Sequence, residues 1–449
     1  MRSTLVLAII FLGAAWALAH PYVGVLLWTW VSIMNPHKLT YGAAVDFPVA
    51  AVIGGATLVG LFLTKDKKNY FLSAPAIALM LFMLWICVTY LFSFNPKGST
   101  DMLDKVLKID FMILVALVLL NSKQHIIALV WVLVISLGYF GVKGGIFTLA
   151  TGGNYRVWGP GGFIGGNNEV ALALIIVIPL MYFLRELAAK VWQRQAWLAA
   201  MSLTAIAAIG SQSRGALLGI VAMMVLLWLR GRQKIFFGTL MIVGGMLLVS
   251  FMPESWHARI DTIGEYQQDT SAMGRINAWW FAWNLAKANF FGGGFDIYNP
   301  GPFALYAPNP LDIHAAHSIY FQVLGEHGFV GLALFLTMWG LTWRWAGWLR
   351  KNATGNPETE WVAVLGSMCQ VSLIGYAVGG AFLSLAYFDL PYNILVLVVL
   401  ARRWVEAHQR EKKNDPLEMP QKNKMLAAET IEVAADFRTS PPLHHKRPL

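Results

Sequence analysis

The chain has 449 residues, 57% of them hydrophobic and 13% charged, with a formal net charge of +10. A soluble domain carries roughly a quarter charged residues, so this composition, with its mean hydropathy of +0.56, excludes a water-soluble globule and points to a polytopic helical bundle in a membrane. The basic residues fall mostly in short segments between apolar runs. That assigns the charge to topology rather than to a nucleic-acid partner.

The first apolar region, residues 4–34, follows Met1 and Arg2 directly and is interrupted at His20-Pro21. It reads as structure rather than a cleaved leader. The expectation is one crossing by a helix broken or tilted at His20-Pro21, with both termini cytoplasmic; two short spans and an outside N-terminus are the alternative. Further apolar runs lie at 46–64, 74–94, 103–120, 126–149, 168–184, 196–210, 214–229, 235–251, 318–343, 361–383 and 387–404, each near the ~20 residues a span needs. Cys87 and Cys369 sit inside such runs, without the spacing of a metal site or a disulfide framework.

Basic clusters alternate along the chain. They are Lys65, Lys67 and Lys68; Arg185, Lys190 and Arg194; Arg230, Arg232 and Lys234; Arg344, Arg350 and Lys351; and Arg402, Arg403, Arg410, Lys412 and Lys413. The positive-inside rule makes them cytoplasmic and puts 150–167, 252–316 and 384–386 outside. The expected fold is an all-α polytopic membrane protein of about 12 transmembrane helices with a large loop on the outside, a loop that the resemblance given below makes periplasmic. Its parts are an N-terminal bundle (1–251), the loop with amphipathic helices (252–316), C-terminal spans (317–404) and a disordered cytoplasmic tail (405–449).

Basic residues on the outer face need a separate reason. Lys97 and Lys105 read as solvated. Arg214, in "GSQSRGALLG", opens a span at its outer end, where free N–H groups and the helix dipole already favour an anion. A phosphate or diphosphate site there competes evenly with a plainer reading, in which Ser211 and Ser213 are N-caps and Arg214 reaches lipid headgroups. Arg156, and Asn168 in "GGNNEVALA", open onto the same face. Arg275 lies in the first turn of a segment whose Ile276, Trp279, Trp280, Trp283 and Phe290 share one face, as in a helix lying in the interface. The Gly292–Gly294 run after it marks a turn and a candidate hinge.

Downstream, "DIHAAHSIYFQVLGEHGFVG" places His314 and His317 at the mouth of a span. Metal binding with Asp312, helix capping, and general-base chemistry are three readings of the pair. For the last, a helix N-terminus keeps an imidazole neutral and able to take a proton. Asp389, near the outer start of the last span, is a carboxylate needing a partner: an arginine, or His317 itself. Polar residues are expected to gather at the outer ends of the spans, as suits an interfacial enzyme better than a transporter.

At these residues the chain resembles the bacterial O-antigen ligase family, which includes O-antigen polymerases and protein O-oligosaccharyltransferases. The resemblance rests on Arg214-x-x-x-Leu218, on Arg275 in the large loop, and on His317-Ser318 followed nine residues later by Gly328-x-x-Gly331. The early stretch "WTWVSIMNPHKLTYG" also resembles a subgroup of O-glycosylation ligases linked to exosortase systems. The resemblance implies a glycosyltransferase C-like fold in the bacterial inner membrane, working on the periplasmic face without metal or other cofactor. It implies a glycan on undecaprenyl diphosphate as donor and a sugar hydroxyl of lipid A–core as acceptor. It also implies that Arg214 and Arg275 bind the diphosphate and His317 deprotonates the acceptor with inversion, while Ser318, His314 and Asp389 support the site. Arg156 and Asn168 join the donor pocket from topology alone.

Overall fold

The computed structural model describes residues 2–65, 68–69, 72–231, 234–235, 238–239, 243–246 and 270–414. Among these there is helix and no strand. The helices are α1 (Arg2–Ala19), α2 (Pro21–Met34), α3 (Val49–Leu63), α4 (Ala74–Tyr90), α5 (Pro96–Leu119), α6 (Lys123–Ala150), α7 (Asn167–Leu187), α8 (Val191–Gly210), α9 (Arg214–Arg230), α10 (Thr270–Ala288), α11 (Pro300–Tyr306), α12 (Ile319–Asn352), α13 (Glu360–Gly380) and α14 (Asp389–Asn414). Five of them, α1, α6, α7, α12 and α13, are long and apolar enough to cross a membrane; α2, α3 and α4 are apolar but shorter. The expected span at 235–251, most of the loop after it and the tail beyond Asn414 lie largely outside the described residues. Residues 402–449 form a unit of their own, in which Arg402 pairs with Glu406 and Trp404 stacks on His408.

Helix starts follow local chemistry. Asn95, Ser122 and Ser213 each accept a hydrogen bond from a first-turn N–H, capping α5, α6 and α9. Packing then uses small residues, as expected where lipid leaves no hydrophobic drive between helices. Gly141 and Gly145 of α6 press against Thr204 and Leu203 of α8, and Gly215 and Gly219 of α9 approach the backbone of Gly375 and Gly379 in α13. The Ser372 hydroxyl of α13 donates to the Ile176 carbonyl of α7 at 2.7 Å. Residues Leu390–Ala401 of α14 are buried throughout.

The N-terminal region departs from the single broken crossing. Gly13 packs against Leu27 and Gly24 against Ala17, and the Ala44 N–H donates to the Ser3 hydroxyl at 3.1 Å. Residues equidistant from His20 therefore meet, so α1 and α2 form an antiparallel pair. Proline at the first position of α2 removes a backbone donor there and lets the chain reverse instead of continuing. Arg2 thus lies at the same end as residues 35–44.

Polar residues also occur away from the outer ends, contrary to expectation. Asp110 of α5, and Glu326 and His327 of α12, are buried. Helix α12 breaks at Gly328 (φ +66°, ψ −172°). Around that break, Tyr387 donates to Glu326 at 2.5 Å, the Trp85 indole donates to the His327 carbonyl at 2.8 Å, and Thr89 lies 2.7 Å from His327 Nδ1.

Candidate functional site

Four separate segments converge on His317. The first is the start of α9. Gln212, in the left-handed region (φ +58°), turns the chain, and Ser213 caps the helix that begins with Arg214. Gly215 packs on Phe382, in the loop after α13. The Gln212 amide donates to the Gly153 carbonyl at 3.1 Å, and the Arg156 guanidinium donates to Gln212 at 3.3 Å. Arg156 is thereby held at Gln212, two residues before Arg214 in the chain. Asn167, rather than Asn168, ties α7 in: it is buried and donates to the Ser211 carbonyl at 2.8 Å. Asn168 follows it, half-buried.

The second segment is α10. Its Asn277 side chain donates to the carbonyls of Asn309 and Asp312, both at 2.8 Å, and accepts from the Asn309 N–H at 2.9 Å. The Trp279 indole donates to the Ala316 carbonyl at 2.7 Å. These bonds staple α10 along residues 309–316 and hold Arg275, which lies in its second turn rather than its first, near His317. Ile276, Trp279, Trp280 and Trp283 line an apolar groove of about 390 Å³ with Phe321. Phe290, expected on that face, lies beyond α10 and packs on Trp85 instead.

The third segment carries the histidines. His314 occupies the space a side chain at Gly274 would fill, and its Nε2 lies 2.8 Å from Asp312 Oδ1. His317 is a non-glycine residue in the left-handed region (φ +43°), and its backbone N–H donates to the Ser384 hydroxyl at 3.0 Å. Ser384 belongs to the fourth segment, the loop between α13 and α14 that also carries Phe382. Ser318 is buried at the N-cap position of α12, without a side-chain capping bond.

Burial, then the positive charge of Arg275, then His314, push the His317 imidazole down to about 4. Its neutrality at pH 7 therefore has a different origin from the helix end invoked from sequence. Among the described residues, no three or more His, Cys, Asp or Glu side chains are grouped to hold a metal.

Asp389 departs from the expectation that it orients His317 or pairs with an arginine. It accepts from the Ser32 hydroxyl and faces Lys105. Lys105 in turn places its ammonium 3.5 Å above the Phe163 ring, so it is not simply solvated. Three positions that hold the site together, Ser384, Gln212 and Asn167, have no motif of their own. Only the Asn-Asn pair at the start of α7 signalled one of them.

Residues 199–336 match the sequence family described as O-antigen ligase. This match supports membership of the chain in the O-antigen ligase family. The matched segment holds Arg214, Arg275, His314, His317, Ser318, Gly328 and Gly331. Residues 1–189 match a second family, described as one of unknown function, and this part holds Arg156 and Asn168. No curated protein matches the chain significantly. The match also supports activity of the ligase or polymerase type on lipid-linked glycans, in a multi-pass membrane protein.

Proposed function

We propose that this protein is an O-antigen ligase. It transfers a glycan from undecaprenyl diphosphate to a sugar hydroxyl of lipid A–core at the periplasmic face of the inner membrane. The observation that carries this reading is a neutral His317 held beside Arg275 and bonded to Ser384, in the α13–α14 loop whose Phe382 abuts the start of α9. A neutral imidazole accepts the proton of the attacking hydroxyl. Arg214 and Arg275 bind the diphosphate and stabilise the charge that develops on it as it leaves. Attack opposite the leaving group inverts the anomeric centre. Arg156 and Asn168 border the diphosphate, and the aromatic groove along α10 takes the polyprenyl chain next to Arg275. The resident charges suffice for this scheme without a metal or other cofactor.

The test uses purified protein in detergent with EDTA, undecaprenyl-diphosphate glycan and lipid A–core, read as product on a gel. Glycosylated lipid A–core is the expected product. Elongation of the donor glycan instead would make the protein a polymerase, and product that forms only when EDTA is left out would overturn the metal-independent scheme.

A further inference from the structure

A further cavity, with apolar and polar walls, is used by none of the chemistry above. It has a volume of about 270 Å³, and its walls include Trp28, Ser32, Asn35, His37, Lys105 and Phe163. Four of these come from the stretch "WTWVSIMNPHKLTYG", and all six fall within residues 1–189, outside the segment that matches the ligases. Phe163 links the cavity to the segments that hold the site. Phe163 packs on Phe388, four residues after Ser384, and stands four residues before Asn167, which bonds to Ser211. We propose that this cavity binds an uncharged, hydroxylated sugar ring of the acceptor and so selects which acceptor presents its hydroxyl to His317. This inference rests on the transfer reaction proposed above.

Its chemistry fits such a ring in four ways. The volume is just below the roughly 300–1,000 Å³ of pockets for drug-sized ligands, which suits one sugar rather than an oligosaccharide. Trp28 and Phe163 offer apolar faces, and Ser32, Asn35 and His37 offer hydrogen-bonding groups, the mixture that recognises a ring with polar edges. Charge is balanced: Lys105 faces Asp389, and Lys108, also in the wall, pairs with Asp104 at 2.5 Å. An anionic ligand therefore gains little. Finally, one buried polar atom of the wall, His37 Nδ1, has no hydrogen-bond partner among the described residues, and neither has Oδ1 of Asp389, whose carboxylate bonds to Ser32 of the wall. Buried polar groups are seldom left unsatisfied without a reason, and sugar hydroxyls can both donate and accept. Asn35 itself is held in the left-handed region (φ +50°), with its side chain against Gly162 (φ +64°), so its amide is fixed at the wall.

Two measurements test this. Lipid A–core carrying a diazirine on its core sugars is irradiated with the full-length protein, and adducts are mapped by mass spectrometry. Adducts within 28–48, 105–109 and 162–163 are expected, whether or not the protein turns over; adducts confined to other segments overturn the proposal. Second, Asn35→Gly, which keeps the backbone conformation, and Lys105→Met should each raise KM for the acceptor about tenfold, the scale of one or two lost hydrogen bonds, while donor KM moves less than twofold. An unchanged acceptor KM, or a rise in donor KM instead, overturns it. Failure of the ligase reading is a separate result: no glycosylated lipid A–core from the wild type.

Discussion

His317 is positioned by its backbone as much as by its ring. A left-handed conformation at a non-glycine residue costs on the order of 1–3 kcal/mol and persists only where the surroundings enforce it; here the enforcing contact is the N–H bond to Ser384. The ring's neutrality has a direct pH consequence. An ordinary histidine, titrating at about 6.5, would lose its basic form as pH fell through the sixes. His317, titrating at about 4, stays deprotonated far below that. The acid limb of kcat/KM should therefore be flat from pH 7 to 5.5 and fall below pH 5; an inflection near 6.5 that disappears in His317→Ala would contradict the shielding. His317→Ala should lower kcat by about 10²–10⁴-fold, the usual worth of a general base, whereas His314→Ala should change it only a few-fold, because His314 is engaged with Asp312 and Gly274. Equal losses at both histidines, restored by zinc, would assign them to a metal instead.

At the scale of elements, the break in α12 explains the glycine motif that follows His317. The N–H groups of Gly293 and Gly294 donate to the carbonyls of Gly325 and Glu326 at 3.0 and 2.9 Å. The Gly292–Gly294 turn, a candidate hinge from sequence, is thus a docking piece that fixes the end of α10 against the broken helix. The arginine at the start of α10 and the histidine before α12 are consequently carried by two helices locked to each other. Gly328→Ala would place a methyl group against the Phe290 carbonyl at a φ and ψ favoured by glycine, costing roughly 1–3 kcal/mol. It should lower the melting temperature in detergent and transfer together. Gly340→Ala, farther along the same helix with open space around it, should lower neither. Equal behaviour of the two variants would remove the break from the list of stabilising features.

For the whole molecule, the antiparallel α1–α2 pair changes which face the N-terminus occupies. Positive charge on Arg2 favours the cytoplasm, yet the Ser3 contact with Ala44 puts that end beside the 35–48 loop. In a background with Cys87→Ala and Cys369→Ala, Ser3→Cys and Tyr41→Cys should react with a membrane-impermeant maleimide from the same side, and Lys65→Cys from the other. Labelling of Ser3→Cys together with Lys65→Cys would restore the single crossing.

The sequence by itself determined the class of fold and the positions of most helices, because a long apolar run in a membrane has to satisfy its backbone internally and helix is the local way to do so. It also placed Arg214, Arg275 and His317 in recognisable order, since each stands at the edge of an apolar run where a charge is conspicuous. Periodicity further marked the aromatic face of α10. Tertiary structure alone decided the reversal at His20, the staple from Asn277 to residues 309–316, and the bond from Ser384 to His317. It also moved Asp389 away from the histidine to Ser32 and Lys105. These are contacts between residues distant in the chain, and no local pattern encodes which buried polar group will face which. The polar cluster at Glu326 and His327 was hidden for the same reason: its cost is offset by Tyr387, Trp85 and Thr89, which come from two other parts of the chain.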